Sequence, residues 1–424
     1  MTRPKRMLFA AIVAVLVLGF IEGSARLAYR ALYERPYAGA ELGDFAMDAA
    51  FRPHEVRGPD VVGLHVVHPY LGFVARSSPA SDAAHGFFDS FPPEDPAPPD
   101  SFSVLLTGGS VALQVSNKLR QALAQRLGDR AGQPVRVRMF KGALGGYKQP
   151  QQLMTFNYLL VLGARFDLVI NLDGYNEIAL SYADNVMRGV HPVYPRHWQF
   201  RIHNLLDSES LSRRGEVAFL RARNRSREAW ARESPLASSA LVGLFLTRSF
   251  LETERRIADV IAATESADRG SLSFEAAGPP HHIESAAEAI SAATALWKQS
   301  SLQMHRLAAA NGIRYVHVLQ PNQYFAGTKP LSARERRDFF RPRSPSAQAT
   351  KAAYPLLLRA GDALRRSGVA WVDASRMFQD DSMTRYSDWC CHLSPQAVTM
   401  LANLIADAAL ADPEHGAPLP HVAR

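Results

Sequence analysis

From residue 102 onward, short runs rich in apolar and β-branched residues alternate with longer stretches in which apolar positions recur every three or four residues. The runs are FSVLLT at 102–107, VRVRMF at 135–140, FDLVINL at 166–172, IRYVHVL at 313–319 and VAWVD at 369–373. Each reads as a strand by length and composition. The stretches 111–127, 149–162, 286–310, 351–366 and 394–410 carry helical periodicity. Strands alternating with helices of these lengths predict βαβ units. Right-handed crossovers between parallel strands then give an α/β fold: a doubly wound, flavodoxin-like parallel sheet of about five strands. In such sheets ligands bind beyond the carboxyl ends of the strands, so chemistry is sought in the residues just after each run.

Ahead of this pattern, residues 7–21 (MLFAAIVAVLVLGFI) form an uninterrupted apolar run preceded by Arg3, Lys5 and Arg6. Its fifteen residues fall short of the ~20 that span a bilayer and sit near the upper limit of a signal-peptide core. Gly23-Ser24-Ala25 offers a cleavage site, but Glu22 and Arg26 crowd it. The reading favoured is an uncleaved signal anchor over 1–30. Its very short basic N-terminus is expected to stay in the cytoplasm, with the remainder extracytoplasmic, in the periplasm or at the cell surface. Residues 31–100 then form an arm: a helix leaving the membrane, a strand pair or extended segment at 61–76 and a stiff proline-rich connector at 92–100 (PPEDPAPPD). The main domain is expected over 101–412, with a tail at 413–424.

Between the third and fourth strands lies a largely helical insertion, 181–284, too long for a crossover alone. It carries Arg213, Arg214, Arg221, Arg223, Arg225, Arg227 and Arg232 against three glutamates within 213–233. That pattern is a solvated helix face or a contact for anionic lipid head groups or an acidic glycan. Ser234-Pro235 has the form of a cap followed by proline at the first helical position. The apolar run 236–246 is too short to cross a membrane. A lid over the crevice is one use the insertion could have.

Composition narrows the classes. Apolar residues make up 47% and charged residues 21% of 424 positions, which suits a large buried core and excludes a disordered, collagen-like or multi-spanning chain. The net charge of +8 favours anionic surfaces. The only cysteines are the adjacent Cys390 and Cys391, so there is no disulfide framework and no zinc-type spacing. No metal or other cofactor is expected. Nor is a nucleic-acid partner, because no binding motif is present and the anchor argues for export.

The turns after the strands hold the candidate chemistry. Thr107-Gly108-Gly109-Ser110 follows the first strand. It places a serine on a tight turn at a helix N-terminus, which favours developing negative charge; a phosphate-cradling turn is the competing reading. Gly142-Ala143-Leu144-Gly145-Gly146 follows the second, either as a plain turn or as a source of a backbone N–H. Asp173-Gly174-Tyr175-Asn176-Glu177 follows the third. Asn176 either caps a helix or offers its amide to an oxyanion, and Asp173 and Glu177 read as polar rim residues. Gln320-Pro321-Asn322 follows the fourth, where Gln320 and Asn322 are candidate substrate-binding residues. Asp388-Trp389-Cys390-Cys391-His392 precedes the last helix. The cysteines read as packing residues, since neither sits on a strand-to-helix turn where a nucleophile belongs.

Taken in order, strand–Ser, strand–Gly, strand–Gly-x-Asn and then Asp and His before the C-terminal helix resemble the SGNH (GDSL-like) hydrolase superfamily. The resemblance covers about 101–410 without the insertion. Gly108-Gly109-Ser110 resembles the first motif, with Gly109 where many members have Asp. Gly146 resembles the second-motif glycine, with Lys141 where an Asn often precedes it. Gly174-Tyr175-Asn176 matches the third, and His392 resembles the base of the last. The family's acid stands three residues before its His, where this chain has Trp389; Asp388 is one residue further back. The anchor followed by His68-Pro69-Tyr70-Leu71-Gly72 is similar to membrane-anchored, envelope-facing members.

The resemblance implies a three-layer sandwich and a serine esterase. Its catalytic residues would be Ser110, His392 and Asp388, and its oxyanion hole the N–H groups of Ser110 and Gly146 with the Asn176 amide. The substrate implied is an O-acylated, above all O-acetylated, cell-envelope glycan or lipid-linked glycan. An O-acyltransferase using the same residues, and a non-catalytic envelope assembly or glycan-binding protein on a decayed scaffold, are the alternatives.

Overall fold

The five runs become five parallel strands of one sheet. The computed structural model of the chain describes residues 3–33, 37, 65–75, 87, 101–202, 208–268, 274–279 and 281–411. In chain order, helix α1 (Arg3–Tyr33) precedes a hairpin of β1 (His65–His68) and β2 (Gly72–Ala75). Then come β3 (Ser101–Gly108), α2 (Ser110–Ala131), β4 (Arg136–Ala143), α3 (Gln151–Val161), β5 (Leu168–Asp173) and α4 (Tyr175–Leu180). The chain continues with α5 (Trp198–Ile202), α6 (Ser208–Glu233), α7 (Ala240–Asp268) and α8 (Phe274–Ala277). It ends with α9 (Ala286–Ala310), β6 (Arg314–Leu319), α10 (Pro345–Arg366), β7 (Ala370–Asp373) and α11 (Pro395–Leu410). The connector expected at 92–100 and the tail at 413–424 lie outside the described residues.

The sheet order is β4-β3-β5-β6-β7, all parallel. Counted over these five strands it is 2-1-3-4-5, so the chain reverses its direction of travel across the sheet at β3, between β4 and β5. The central β5 and β6 are buried at every position, as strands covered on both faces must be. Alternate residues of β3 feed opposite faces. Phe102, Val104 and Leu106 pack with α2 and α11, while Leu105 packs with α3, α9 and α10.

The predicted α9 has the bounds expected, closed at its start by a capping box in which Ser285 accepts from the Glu288 N–H. Helix α10 begins at Pro345, six residues before the periodic stretch. There Ser344 caps it through the Ala347 N–H and proline occupies the first position.

Contacts divide the chain into two compact units, Met1–Asp60 with His203–Gly270, and Val61–Ile202 with Ser271–Arg424. The stretch expected to be a single insertion, 181–284, is thereby shared. Residues 203–270 belong with the N-terminal segment, and 181–202 and 271–284 with the sheet. In the first unit, α6 and α7 form an antiparallel pair, and α1 packs against α7. Its segment Phe9–Tyr33 is long and apolar enough to cross a membrane, and only 6% of its 18-residue apolar window is buried.

Candidate active site

Three strand ends build one rim. β3 ends at Gly108, and after Gly109 the chain enters α2 with Ser110 as its first residue. The adjacent β4 runs into a turn in which the Leu144 N–H donates to the Gly108 carbonyl (3.4 Å) and Gly146 has φ +83°. This left-handed conformation favours glycine. On the other side of β3, β5 runs through Gly174 into α4, whose second residue is Asn176. Glu177 closes that helix start, its carboxylate accepting the Gly174 N–H (2.7 Å).

The side chain of Asn176 is 8% exposed and donates to the Tyr147 carbonyl (2.8 Å), one residue beyond Gly146. An amide nitrogen has two protons, so a second remains. The same nitrogen lies against Gly109: a Cβ built there would stand 2.2 Å from Asn176 Nδ2. A glycine at 109 thus leaves the room that the asparagine amide occupies. Ser110, Gly146 and Asn176 therefore lie at the carboxyl ends of three neighbouring strands.

The segment before α11 brings the other two residues. Tyr386 and Leu393 form an isolated antiparallel bridge, with the Ser387 N–H donating to the His392 carbonyl (3.0 Å) and the Ser394 N–H to the Arg385 carbonyl (2.7 Å). Within this closed loop one oxygen of Asp388 accepts the N–H groups of Cys390 (2.9 Å), Cys391 (3.1 Å) and His392 (3.2 Å). The backbone wraps round the carboxylate, so residues four apart face the same side. The other Asp388 oxygen meets His392 Nδ1 at 2.5 Å, and His392 Nε2 meets Ser110 Oγ at 2.7 Å. This wrapping brings Asp388, four residues before His392, onto the imidazole, and Trp389 between them does not contribute the acid. Burial alone would raise the Asp388 carboxyl; the hydrogen bond and charge of His392 and the backbone N–H groups outweigh it and hold the group below its ordinary value.

Several residues that sequence reasoning did not single out fix this loop. Gln114, one helical turn after Ser110, donates to the Leu393 carbonyl (2.7 Å) and accepts the Leu393 N–H (3.0 Å). It ties the serine helix to the histidine segment. Its spacing from Ser110 was the available signal. Gln323 donates to the Asp388 carbonyl (3.0 Å), and the Tyr324 hydroxyl to that of Trp389.

Gln320 and Asn322 belong to the same support. Asn322 is fully buried, donates to the Cys390 carbonyl (3.3 Å) and accepts the Tyr324 N–H. Gln320 is 4% exposed, and its backbone N–H donates to the Asp173 carbonyl (2.9 Å). Both therefore sit beneath the Asp388–His392 loop, buried, where the sequence suggested substrate contacts.

Asp173 and Glu177, read from sequence as rim residues, are both buried. Asp173 accepts from Trp297 Nε1 (2.7 Å), Asn171 Nδ2 (2.7 Å) and Gln149 Nε2 (3.4 Å), and its Oδ1 lies 2.8 Å from His317 Nε2. Helix α9 supplies the tryptophan, which periodicity alone could not place. Burial, together with the Asp173 charge, pushes the Glu177 carboxyl up to about 8.

Arg196 also reaches the rim. Its side chain passes over the Gly146 turn, where a built Cβ would meet Arg196 Cδ at 3.0 Å. Asp184 holds it through a 2.5 Å contact to Nε and also pairs with Arg188 (3.1 Å). Burial would raise the Asp184 carboxyl, but the neighbouring His197, Arg196 and Arg188 hold it far below its ordinary value.

The donors of Asp388, Cys390 and His392 lie within 4.8 Å of one another, close enough for one cation to reach all three. Two of them are already bonded to each other in the Asp388–His392 pair, so a cation there would have to displace that bond. Cys390 Sγ instead contacts Cys391 Sγ at 3.0 Å. Compared with known proteins, the chain matches no family model and no curated protein.

Proposed function

We propose that the protein is an SGNH-like serine esterase with a three-layer fold, acting on O-acylated, above all O-acetylated, cell-envelope glycan or glycolipid. The observation that carries this reading is the unbroken line from Ser110 Oγ through His392 to Asp388, with both links at hydrogen-bond distance. His392 Nε2 takes the Ser110 proton as the oxygen attacks the ester carbonyl, and Asp388 holds the ring tautomer and the imidazolium that forms. The Ser110 N–H at the start of α2, the Gly146 N–H and the second Asn176 amide proton receive the negative oxygen. His392 then returns its proton to the departing sugar hydroxyl, and water, deprotonated by the same ring, releases the acid.

Glycan and location rest on the apolar α1 helix and on the family analogy, by which the site-bearing domain faces the envelope. The test is acetate release from an O-acetylated polysaccharide and from p-nitrophenyl acetate by the wild type and Ser110→Ala. Release by the wild type alone supports the reading. Equal release by both contradicts it, and transfer to an added glycan in place of release assigns the same residues to an acyltransferase.

A further inference from the structure

The first unit presents an apolar tip beside the end of the apolar helix. Glu22 is the first charged residue after the run 7–21, and its carboxylate accepts the N–H of Ala240 (2.8 and 3.0 Å) and the Ser239 hydroxyl (2.8 Å). Glu22 thus closes the N-terminus of α7, where a carboxylate is favoured by the unpaired N–H groups. One turn on, Arg26 reaches the Ser238 carbonyl, and further along the Tyr29 hydroxyl meets Thr247. The order 22 to 240 and 29 to 247 makes α7 run parallel to α1, away from the apolar run. α6 returns antiparallel, with Arg227 bonded to the Ser249 carbonyl (3.1 Å) and Arg256 paired to Glu216 (2.7 Å). The turn between α6 and α7 therefore lies level with Glu22.

That level is where a bilayer containing residues 7–21 has not yet ended. Fifteen helical residues rise about 22 Å, against roughly 30 Å of hydrocarbon. The side chains here match such a setting. Leu236 is 62% and Phe245 76% exposed, with Leu241 between them and Leu27 and Leu32 exposed on α1. Exposed Arg26 and Arg30 on α1, and Arg225 and Arg232 on α6, supply long cationic side chains for lipid phosphates. A charged Glu22 at this depth is acceptable because its oxygens are already occupied.

We propose that the α6–α7 turn is a second membrane-contact element. Leu236, Leu241 and Phe245 lie in the headgroup and upper acyl region of the bilayer that α1 enters, and the neighbouring arginines contact anionic head groups. The proposal rests on α1 being a membrane anchor, and the experiment separates the two. The full chain, with Cys390→Ala and Cys391→Ala, is reconstituted in nanodiscs of phosphatidylcholine and phosphatidylglycerol. One spin label at a time is placed through Leu236→Cys, Phe245→Cys, Val15→Cys or Glu216→Cys. Collision with oxygen, which partitions into lipid, is compared with collision with a water-soluble nickel chelate.

The expected result is a nickel-to-oxygen ratio severalfold lower at 236 and 245 than at 216, approaching that at 15. A lipid-like value at 15 with water-like values at 236 and 245 overturns the proposal and spares the anchor. A water-like value at 15 overturns the anchor and the proposal with it. Shielding of 236 and 245 from both reagents, with spin–spin broadening, assigns the tip to a second copy of the chain and also overturns the proposal.

Discussion

Replacing Gly109 by alanine tests the oxyanion geometry without touching any reacting group. The backbone at Gly109 (φ −94°, ψ −153°) is open to alanine, so no conformational penalty arises there. The obstacle is Asn176, whose Nδ2 would lie 2.2 Å from the new methyl, more than 1 Å inside ordinary contact. Asn176 cannot retreat by moving its helix. A side chain at the adjoining Gly174 would stand 2.4 Å from Leu319, so the α4 start is pressed against β6. The amide must therefore rotate off the Tyr147 carbonyl. One hydrogen bond is lost, about 1 kcal/mol of stability. On the proposed mechanism one oxyanion donor is lost too, roughly 10²–10³ in kcat, or about 2.7–4 kcal/mol. The assay is kcat and Tm for wild type, Gly109→Ala, Asn176→Ala and the double variant on p-nitrophenyl acetate. Each single variant should lose the same factor, and the double should lose no more than either. Additive losses, or a near-normal Gly109→Ala, would refute the reasoning.

Asp388→Asn should lower kcat on the order of 10⁴ while leaving the fold intact, since the amide favours the wrong His392 tautomer; kcat within a few-fold of wild type would remove Asp388 from the mechanism. Gln114→Leu should lower kcat with little change in KM, because it frees the Leu393 backbone that sets His392 against Ser110; circular dichroism should be unchanged, and a change confined to KM would argue otherwise. Asp184→Asn leaves Arg196 and Arg188 without their carboxylate and should cost about 3–5 kcal/mol by denaturant titration. The depressed Asp184 group binds its proton more weakly folded than unfolded. Its contribution is therefore complete above the ordinary carboxylate range and lost as pH falls below it. The variant should accordingly show a shallower acid loss of stability, and an identical acid limb would contradict the assignment.

The strands were legible because a sheet covered on both faces demands runs of apolar residues, and β5 and β6 show them. The rim was legible because Ser110, Gly146 and Asn176 each follow such a run directly. What sequence could not show arises from contacts distant along the chain. Arg196 is delivered over Gly146 from within the long stretch between β5 and β6. Asp173 is sealed by Trp297 from α9, which turned an expected rim residue into a buried acceptor. Gln320 and Asn322 follow a strand as expected, but the Asp388–His392 loop lies over them. The division of 181–284 between two units follows from α1 closing α7 through Glu22, a pairing across more than two hundred residues that no local pattern encodes.

The central claim is that Ser110 is an activated nucleophile, and covalent labelling tests it most directly. The purified full chain is exposed to a fluorophosphonate and its intact mass and peptides are measured. The account predicts one adduct, mapped to Ser110, abolished in Ser110→Ala and strongly slowed in His392→Ala. No adduct on the folded wild type, or an adduct on Cys390 or another residue that survives Ser110→Ala, would contradict it.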